Sequence, residues 1–248
     1  MKDHDNLIGG QWVSFGNYQD NINPSDTRDV IGRYSYGDAA AVDQAVTAAK
    51  AAQSGWAAST PQQRHDLLDK VGASLASRSR EIGELLSREE GKTLAEGIGE
   101  TMRAAQVFKF FAGEALRQTG ELQPSVRPDI DVEITREPVG IVGLVTPWNF
   151  PIAIPAWKIA PALAYGNCVI HKPADLTPGC AHVIAELLHE HGCPPGVFSL
   201  VMGRGSVVGE AIVTHPEISA ISFTGSVGTG HHIAEVCGRM RKKVQLEM

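Results

Sequence analysis

The sequence predicts an α/β fold: a doubly wound parallel sheet preceded by a helical region and a β-hairpin extension. Three observations carry that reading. From residue 138 onward, short apolar runs alternate with stretches of helical period, the rhythm of repeated βα units with right-handed crossovers. Runs such as Val139 to Val145 are apolar without alternation, as strands covered on both faces require. Glycine-rich turns at Gly203 to Gly209 and Gly225 to Gly230 follow strands, at the edge where an open parallel sheet binds its ligands.

Bulk properties narrow the class of function. The 248 residues suit one large α/β unit or one unit with attachments, and 43% hydrophobic with 20% charged residues is ordinary for a globular chain. A formal net charge of −6 argues against nucleic acid or an anionic membrane surface as partner. The first ten residues lack a basic segment followed by an apolar core, so no secretory signal is read there. The most apolar stretch, residues 138 to 170, is interrupted by Pro147, Pro151, Pro155, Lys158 and Pro161, which excludes a membrane span. Cys168, Cys180, Cys193 and Cys237 form no C-x-x-C pair, so a cytoplasmic protein with reduced, packing cysteines is expected.

Residues 1–120 read as an arm followed by helices. Short strand-like pieces between residues 7 and 34, separated by turns, predict paired edge strands outside the core. Asp38 caps a helix whose stripe is Val42, Ala45, Val46 and Ala49. Thr60 caps another, with Pro61 in its first turn and Leu67, Leu68, Val71 and Leu75 inward. Ser79 to Glu90 continues helical, and Thr93 to Gln118 forms a long helix expected to be well buried through Met102, Val107, Phe108, Phe110, Phe111 and Leu116. Residues 121–137 alternate apolar and polar around Ile130 to Arg136, a half-exposed strand in a hairpin leaving the body. Residues 138–248 carry strands at Val139 to Val145, Cys168 to His171, Val197 to Met202 and Ala220 to Thr224. Helices at Ile152 to Ala164, Pro178 to His191, Ser206 to Thr214 and Val227 to Arg239 separate and follow them.

The candidate site lies at the strand ends. Asn149 and Lys172 each stand just past a strand, where an amide and an ammonium can meet a ligand. Asn149 could equally cap the helix that follows, and Lys172 with Asp175 could be a solvated pair. The loop from Met202 to Gly209 approximates G-x-G-x-x-G but has Val208 at the third glycine. In the loop from Phe223 to Gly230, Ser226 can cap the following helix and offer a hydroxyl to a phosphate. Plain strand-to-helix turns explain either loop as well. His189, His191 and Cys193 straddle a helix end without a fourth ligand, so no metal site is read.

Thr146-Pro147-Trp148-Asn149-Phe150-Pro151, His171 to Pro178 and Phe223 to Gly230, in that order, resemble the NAD(P)-dependent aldehyde dehydrogenase superfamily. Within it the sequence is most similar to 2-oxoglutarate semialdehyde (2,5-dioxovalerate) and succinate semialdehyde dehydrogenases. The resemblance implies a Rossmann-like cofactor-binding region over residues 138–248, with NAD or NADP held by Thr146, Pro147, Trp148, Lys172, Asp175, Gly205, Gly225 and Ser226. It implies Asn149 as oxyanion donor and Glu247 as general base, acting on a small aldehyde. It implies that 121–137 serves subunit association in a dimer or tetramer, although an ordinary edge hairpin fits too. In that family two glycines follow the glutamate and the nucleophilic cysteine lies further on. The chain is therefore expected to be an amino-terminal half, without the catalytic domain and inactive alone.

Overall fold

The computed structural model describes residues 2–248. Strands β1 (Asp3–His4), β2 (Asn6–Ile8), β3 (Gln11–Val13), β4 (Tyr18–Ile22) and β5 (Val30–Ser35) open the chain. They split between two sheets. β1, β5 and β4 form a small three-stranded sheet, whereas β2 and β3 extend the main one. The expectation of an arm outside the core is therefore wrong for β2: Asn6, Leu7 and Ile8 are buried, and Asn6 bridges to Ser35 and Met202. Three residues are too few to display a sheet's alternation, so local pattern holds no sign of this burial.

Four helices follow: α1 (Ala39–Ala57), α2 (Pro61–Ser77), α3 (Ser79–Glu90) and α4 (Leu94–Leu116). Asp38 caps α1 through the Ala41 amide, and Thr60 and Thr93 form reciprocal capping boxes with Gln63 and Glu96. α4 is buried along one stripe only, through Ala104, Ala105, Phe108 and Ala112. Met102, Phe110 and Leu116 face outward, against the expectation of burial all round. Strands β6 (Glu121–Pro124) and β7 (Asp131–Ile134) pair as an antiparallel hairpin with every residue exposed. The alternation at 130–136 thus marks a strand, though neither of its faces is covered.

Beyond it β8 (Ile141–Val145), α5 (Ala153–Ala164), β9 (Cys168–Lys172), α6 (Pro178–Glu190) and β10 (Phe198–Leu200) form two βα units. A π-helical turn, Gly205–Gly209, then runs into the short α7 (Glu210–Thr214), where one continuous helix was expected. β11 (Ala220–Thr224), α8 (Val227–Met240) and β12 (Lys243–Glu247) complete the chain. β12 is a parallel strand missing from the strands expected above, although Lys243 to Glu247 alternate polar and apolar residues. The main sheet has order β12-β11-β8-β9-β10-β2-β3, parallel through its first five strands.

Helices α5 and α6 pack against β8, β9 and β10 beneath the layer of α2, α3 and α4. Right-handed crossovers put α7 and α8, with α1 beside α7, on the other face. The chain leaves β8 to one side for β9 and β10, then returns to the other side for β11. That reversal makes the β8/β11 boundary the topological switch point. Among the described residues, no helix is long and apolar enough to cross a membrane.

Candidate active site

Because β8, β9, β10, β11 and β12 are parallel, their following loops gather at one edge of the sheet. Val145 stands opposite both Lys172 and Phe223, and Thr224 stands opposite Glu247. Three hollows divide the residues found there.

On the α7 and α8 face, a cleft of about 480 Å³ is lined by Val145, Gly205, Gly209, Gly228, Thr229 and Ile233, among others. It lies at the switch point; Gly205, Gly209 and Gly228 leave backbone bare there, while Glu210 and His232 bring polar side chains to its rim. Ser226 starts α8, its Oγ accepting from the Thr229 amide at 3.4 Å and lying 2.9 Å from the Thr229 hydroxyl. Gly203 is required for space: at φ +149 a Cβ there would lie 2.8 Å from the Gly37 carbonyl oxygen. The role of that glycine is to let two loops approach.

Thr146, Pro147 and Trp148 run out from β8, the first buried and the last exposed. The Thr146 hydroxyl lies 2.9 Å from Nε2 of His171, and burial, helped by Lys172, pushes that imidazole down to about 3. Lys172 is 4% exposed, and its Nζ donates to the Pro173 carbonyl at 2.7 Å and to Asp175 Oδ1 at 2.6 Å. Burial lowers its pKa while Asp175 opposes the shift. Two of the three ammonium protons are thus taken by these acceptors.

Asn149 is exposed and lines a second hollow, of about 720 Å³, with Lys92, Glu100, Arg103, Trp148, Phe150 and Trp157. Asn149 and Lys172 thus leave neighbouring strand tips and then part, one facing this hollow and the other turned to Asp175. Lys92 donates to the Asn149 carbonyl at 3.0 Å and lies 4.4 Å from the centre of the Phe150 ring.

A third hollow, of about 520 Å³, runs along the α5 face between Trp157, Lys158, Ser222, Gln245 and Glu247. Trp157 borders both it and the Asn149 hollow. Glu247 is exposed and accepts from the Thr224 hydroxyl at 2.9 Å. Lys158, 7% exposed, donates to Ser222 Oγ at 2.9 Å and Gln245 Oε1 at 3.1 Å. Burial lowers its pKa to about 8, with Glu247 pulling the other way. Sequence reasoning passed over Lys158, Lys92 and Glu100; the one available signal was a lone lysine inside an apolar helix.

The four cysteines are unsuited to attack. Cys168, Cys180 and Cys237 are buried, and burial pushes Cys168 and Cys193 up to about 12 and raises Cys180 and Cys237 too. His189 and His191 do not join Cys193 in a cluster: His191 lies 2.7 Å from Ser74 Oγ, and His189 packs edge-on against Trp12.

Comparison with known proteins gives a consistent answer. The model of the aldehyde dehydrogenase family matches residues 12–248. An alpha-ketoglutaric semialdehyde dehydrogenase of Bacillus subtilis is 43% identical over 98% of this chain and 50% of its own length. A betaine aldehyde dehydrogenase of Staphylococcus aureus, solved in complex with NAD+, superposes with a TM-score of 0.95 at 34% identity, over 99% of this chain and 49% of its own. An NADP-dependent enzyme of E. coli superposes with a TM-score of 0.96 at 34% identity, over 99% of this chain and 51% of its own. The chain spans about half the length of the relatives it matches.

Proposed function

The chain belongs to the aldehyde dehydrogenase family, and from that premise we propose that it is the nucleotide-binding half of an enzyme oxidising a small carboxylated semialdehyde. The substrate would be of the 2-oxoglutarate semialdehyde kind, and the cofactor NAD+ or NADP+. The observation that supports this best is the division of one sheet edge: a glycine-walled cleft on the α7/α8 face, and the Asn149 and Glu247 hollows on the α5 face. Glycines at 205, 209 and 228 leave room in this cleft for a dinucleotide, because side chains at those positions would occupy the space its phosphates need.

In this reading Gly205 lines the phosphate side, Gly225 and Ser226 form the turn that opens α8 beside it, and Thr146, Pro147 and Trp148 form the passage from β8. Lys172 and Asp175 hold ribose hydroxyls. When bound, the nicotinamide supplies the hydride acceptor. The Asn149 amide donates to the developing oxyanion, and Glu247 takes a proton from water. Lys158, which lines the same hollow as Glu247 and is held by Ser222 and Gln245, places a positive charge on the Glu247 side of the sheet. Arg103, 5.9 Å from the centre of the Trp157 ring, brings a guanidinium to the Asn149 hollow, which favours a substrate with its own carboxylate. The thiol must come from elsewhere, since the cysteines here are packed and weakly acidic.

The three segments 1–120, 121–137 and 138–248 take the roles of support, subunit association and cofactor binding. A purely nucleotide-binding module is the rival, and the raised cysteine pKa values favour it for this chain alone. Titration with NAD+ and NADP+, followed by Trp148 fluorescence in a variant lacking the other tryptophans, tests the first part. Saturable binding without aldehyde turnover is expected of the chain by itself. Turnover should appear in a full-length enzyme carrying this half and vanish with Asn149→Ala. Absence of nucleotide binding would overturn the proposal.

A further inference from the structure

Two histidines and a glutamate converge away from the three hollows. His182 and Glu186 stand four apart on α6, hence on one face, with Nδ1 of His182 3.4 Å from Oε1 of Glu186. His4, on β1, brings a third group: its ring centre is 4.6 Å from that of His182, the planes at 77°. One ligand atom from each of the three lies within 4.8 Å of the others, the one such gathering among the described residues. The Cδ2–Nε2 edge of His4 lies against Gly32, and its Nδ1 is buried without a hydrogen-bond partner. Buried polar atoms are nearly always partnered, so this nitrogen calls for an explanation.

We propose that His4, His182 and Glu186 bind a divalent first-row transition ion, represented by zinc, which fastens the amino-terminal strand to helix α6. Two imidazoles and a carboxylate, with water in a fourth position, are a donor set such ions accept. Zinc bonds of about 2.0–2.1 Å place neighbouring tetrahedral donors about 3.3 Å apart. The His182–Glu186 pair already has that spacing, while the His4 donor, within 4.8 Å of both, has to come closer on binding. The rings are held from outside, Trp12 stacking on His182 at 4.7 Å and Tyr34 on His4 at 4.7 Å.

Lys2 competes for Glu186 at 3.9 Å, but its side chain is 74% exposed and can turn to water. A bare His182–Glu186 pair explains two of the three residues and leaves the His4 nitrogen unaccounted for. An ion accounts for all three. Sequence inspection could not find this set, because one ligand sits at the chain start and two on a distant helix.

The test is equilibrium dialysis of the untagged chain against Zn²⁺, with the visible spectrum of the Co²⁺ form as a second readout. One ion per chain and tetrahedral cobalt bands are expected, and zinc should raise Tm through preferential binding to the folded state. Glu186→Gln and His4→Gln should each weaken binding by about tenfold or more with the far-ultraviolet spectrum unchanged. These two variants carry the test, because His182→Ala also unpacks Trp12. The proposal is overturned if no stoichiometric zinc binds, or if both variants bind it as the parent does. The latter result would assign the ion to other histidines, such as His231 and His232.

Discussion

The ammonium of Lys92 and the carboxylate of Glu100 meet at 2.7 Å beside the turn that carries Asn149, and each then holds one end of that turn. Lys92 donates to the Asn149 carbonyl, while Glu100 Oε1 accepts the Ile152 and Ala153 amides at 3.0 and 3.1 Å. Those amides open α5 and would otherwise lack partners, since α5 has no side-chain cap of its own.

Glu100→Ala removes the acceptor of both amides and one of the two carboxylates beside Lys92, which keeps Glu90 at 3.4 Å. The expected loss is about 1–3 kcal/mol, the range for leaving buried donors without their acceptor. Glu100→Gln keeps an acceptor for the amides but loses the charge, and should fall between parent and Ala variant. Urea unfolding of the three proteins checks the order.

A second buried glutamate does the same for the neighbouring helix. Glu89 accepts the Gly179 and Cys180 amides at 2.7 and 2.8 Å, where α6 begins. Burial outweighs those hydrogen bonds and raises the Glu89 pKa from 4.5 to about 7. A carboxyl group whose pKa is raised on folding stabilises the fold fully below its unfolded value, and loses that contribution as pH climbs through the folded value. The window is therefore about pH 4.5 to 7. Between pH 5 and 8 the parent should lose about 2–3 kcal/mol relative to Glu89→Gln, which does not titrate. Denaturant midpoints of both proteins at several pH values measure the difference, and parallel curves would refute it.

These two carboxylates mark the limit of what the sequence disclosed. The βα rhythm, the caps at Asp38, Thr60 and Thr93, and the strand-end positions of Asn149 and Lys172 were legible, because each rests on neighbours within a few residues. Glu89 and Glu100 read as ordinary charges on α3 and α4, since their partners lie about 50 to 90 residues away. β12 alternates polar and apolar residues over Lys243 to Glu247, the pattern of a strand with one open face, so it was legible although not among the strands expected; its polar row joins Lys158 through Gln245. The division of the strand-end residues among three hollows depends on which face each loop leaves by, and local pattern carries no record of that.

Asp175 bears on the choice of cofactor. Its carboxylate neutralises Lys172 at 2.6 Å, and in the proposed binding mode both sit beside the adenosine ribose. Asp175→Ala removes the acceptor for a 2′-hydroxyl and leaves a buried cation that a 2′-phosphate can pair with. The affinity ratio should shift toward NADP+ by about tenfold, or about 1.4 kcal/mol. Calorimetric titration with both nucleotides measures it, and an unchanged ratio would remove Asp175 from the ribose.

Gly225 and Gly228 separate the cleft from its framework. A Cβ on Gly225 would lie 2.6 Å from the ring of Phe223, itself buried at 4% exposure. Gly225→Ala should therefore cost about 1–3 kcal/mol through overpacking, whatever it does to a ligand. Gly228 has nothing within 4 Å of its would-be Cβ and lies inside α8, yet it lines the cleft. Gly228→Ala should stabilise the chain by about 0.5–1 kcal/mol, the usual gain for that exchange within a helix. If the dinucleotide occupies this cleft, the same methyl group intrudes on its space and NAD+ affinity falls while stability rises. Thermal unfolding and nucleotide titration of the one variant give both quantities. Higher stability with undiminished affinity would show that the nucleotide binds elsewhere along the sheet edge.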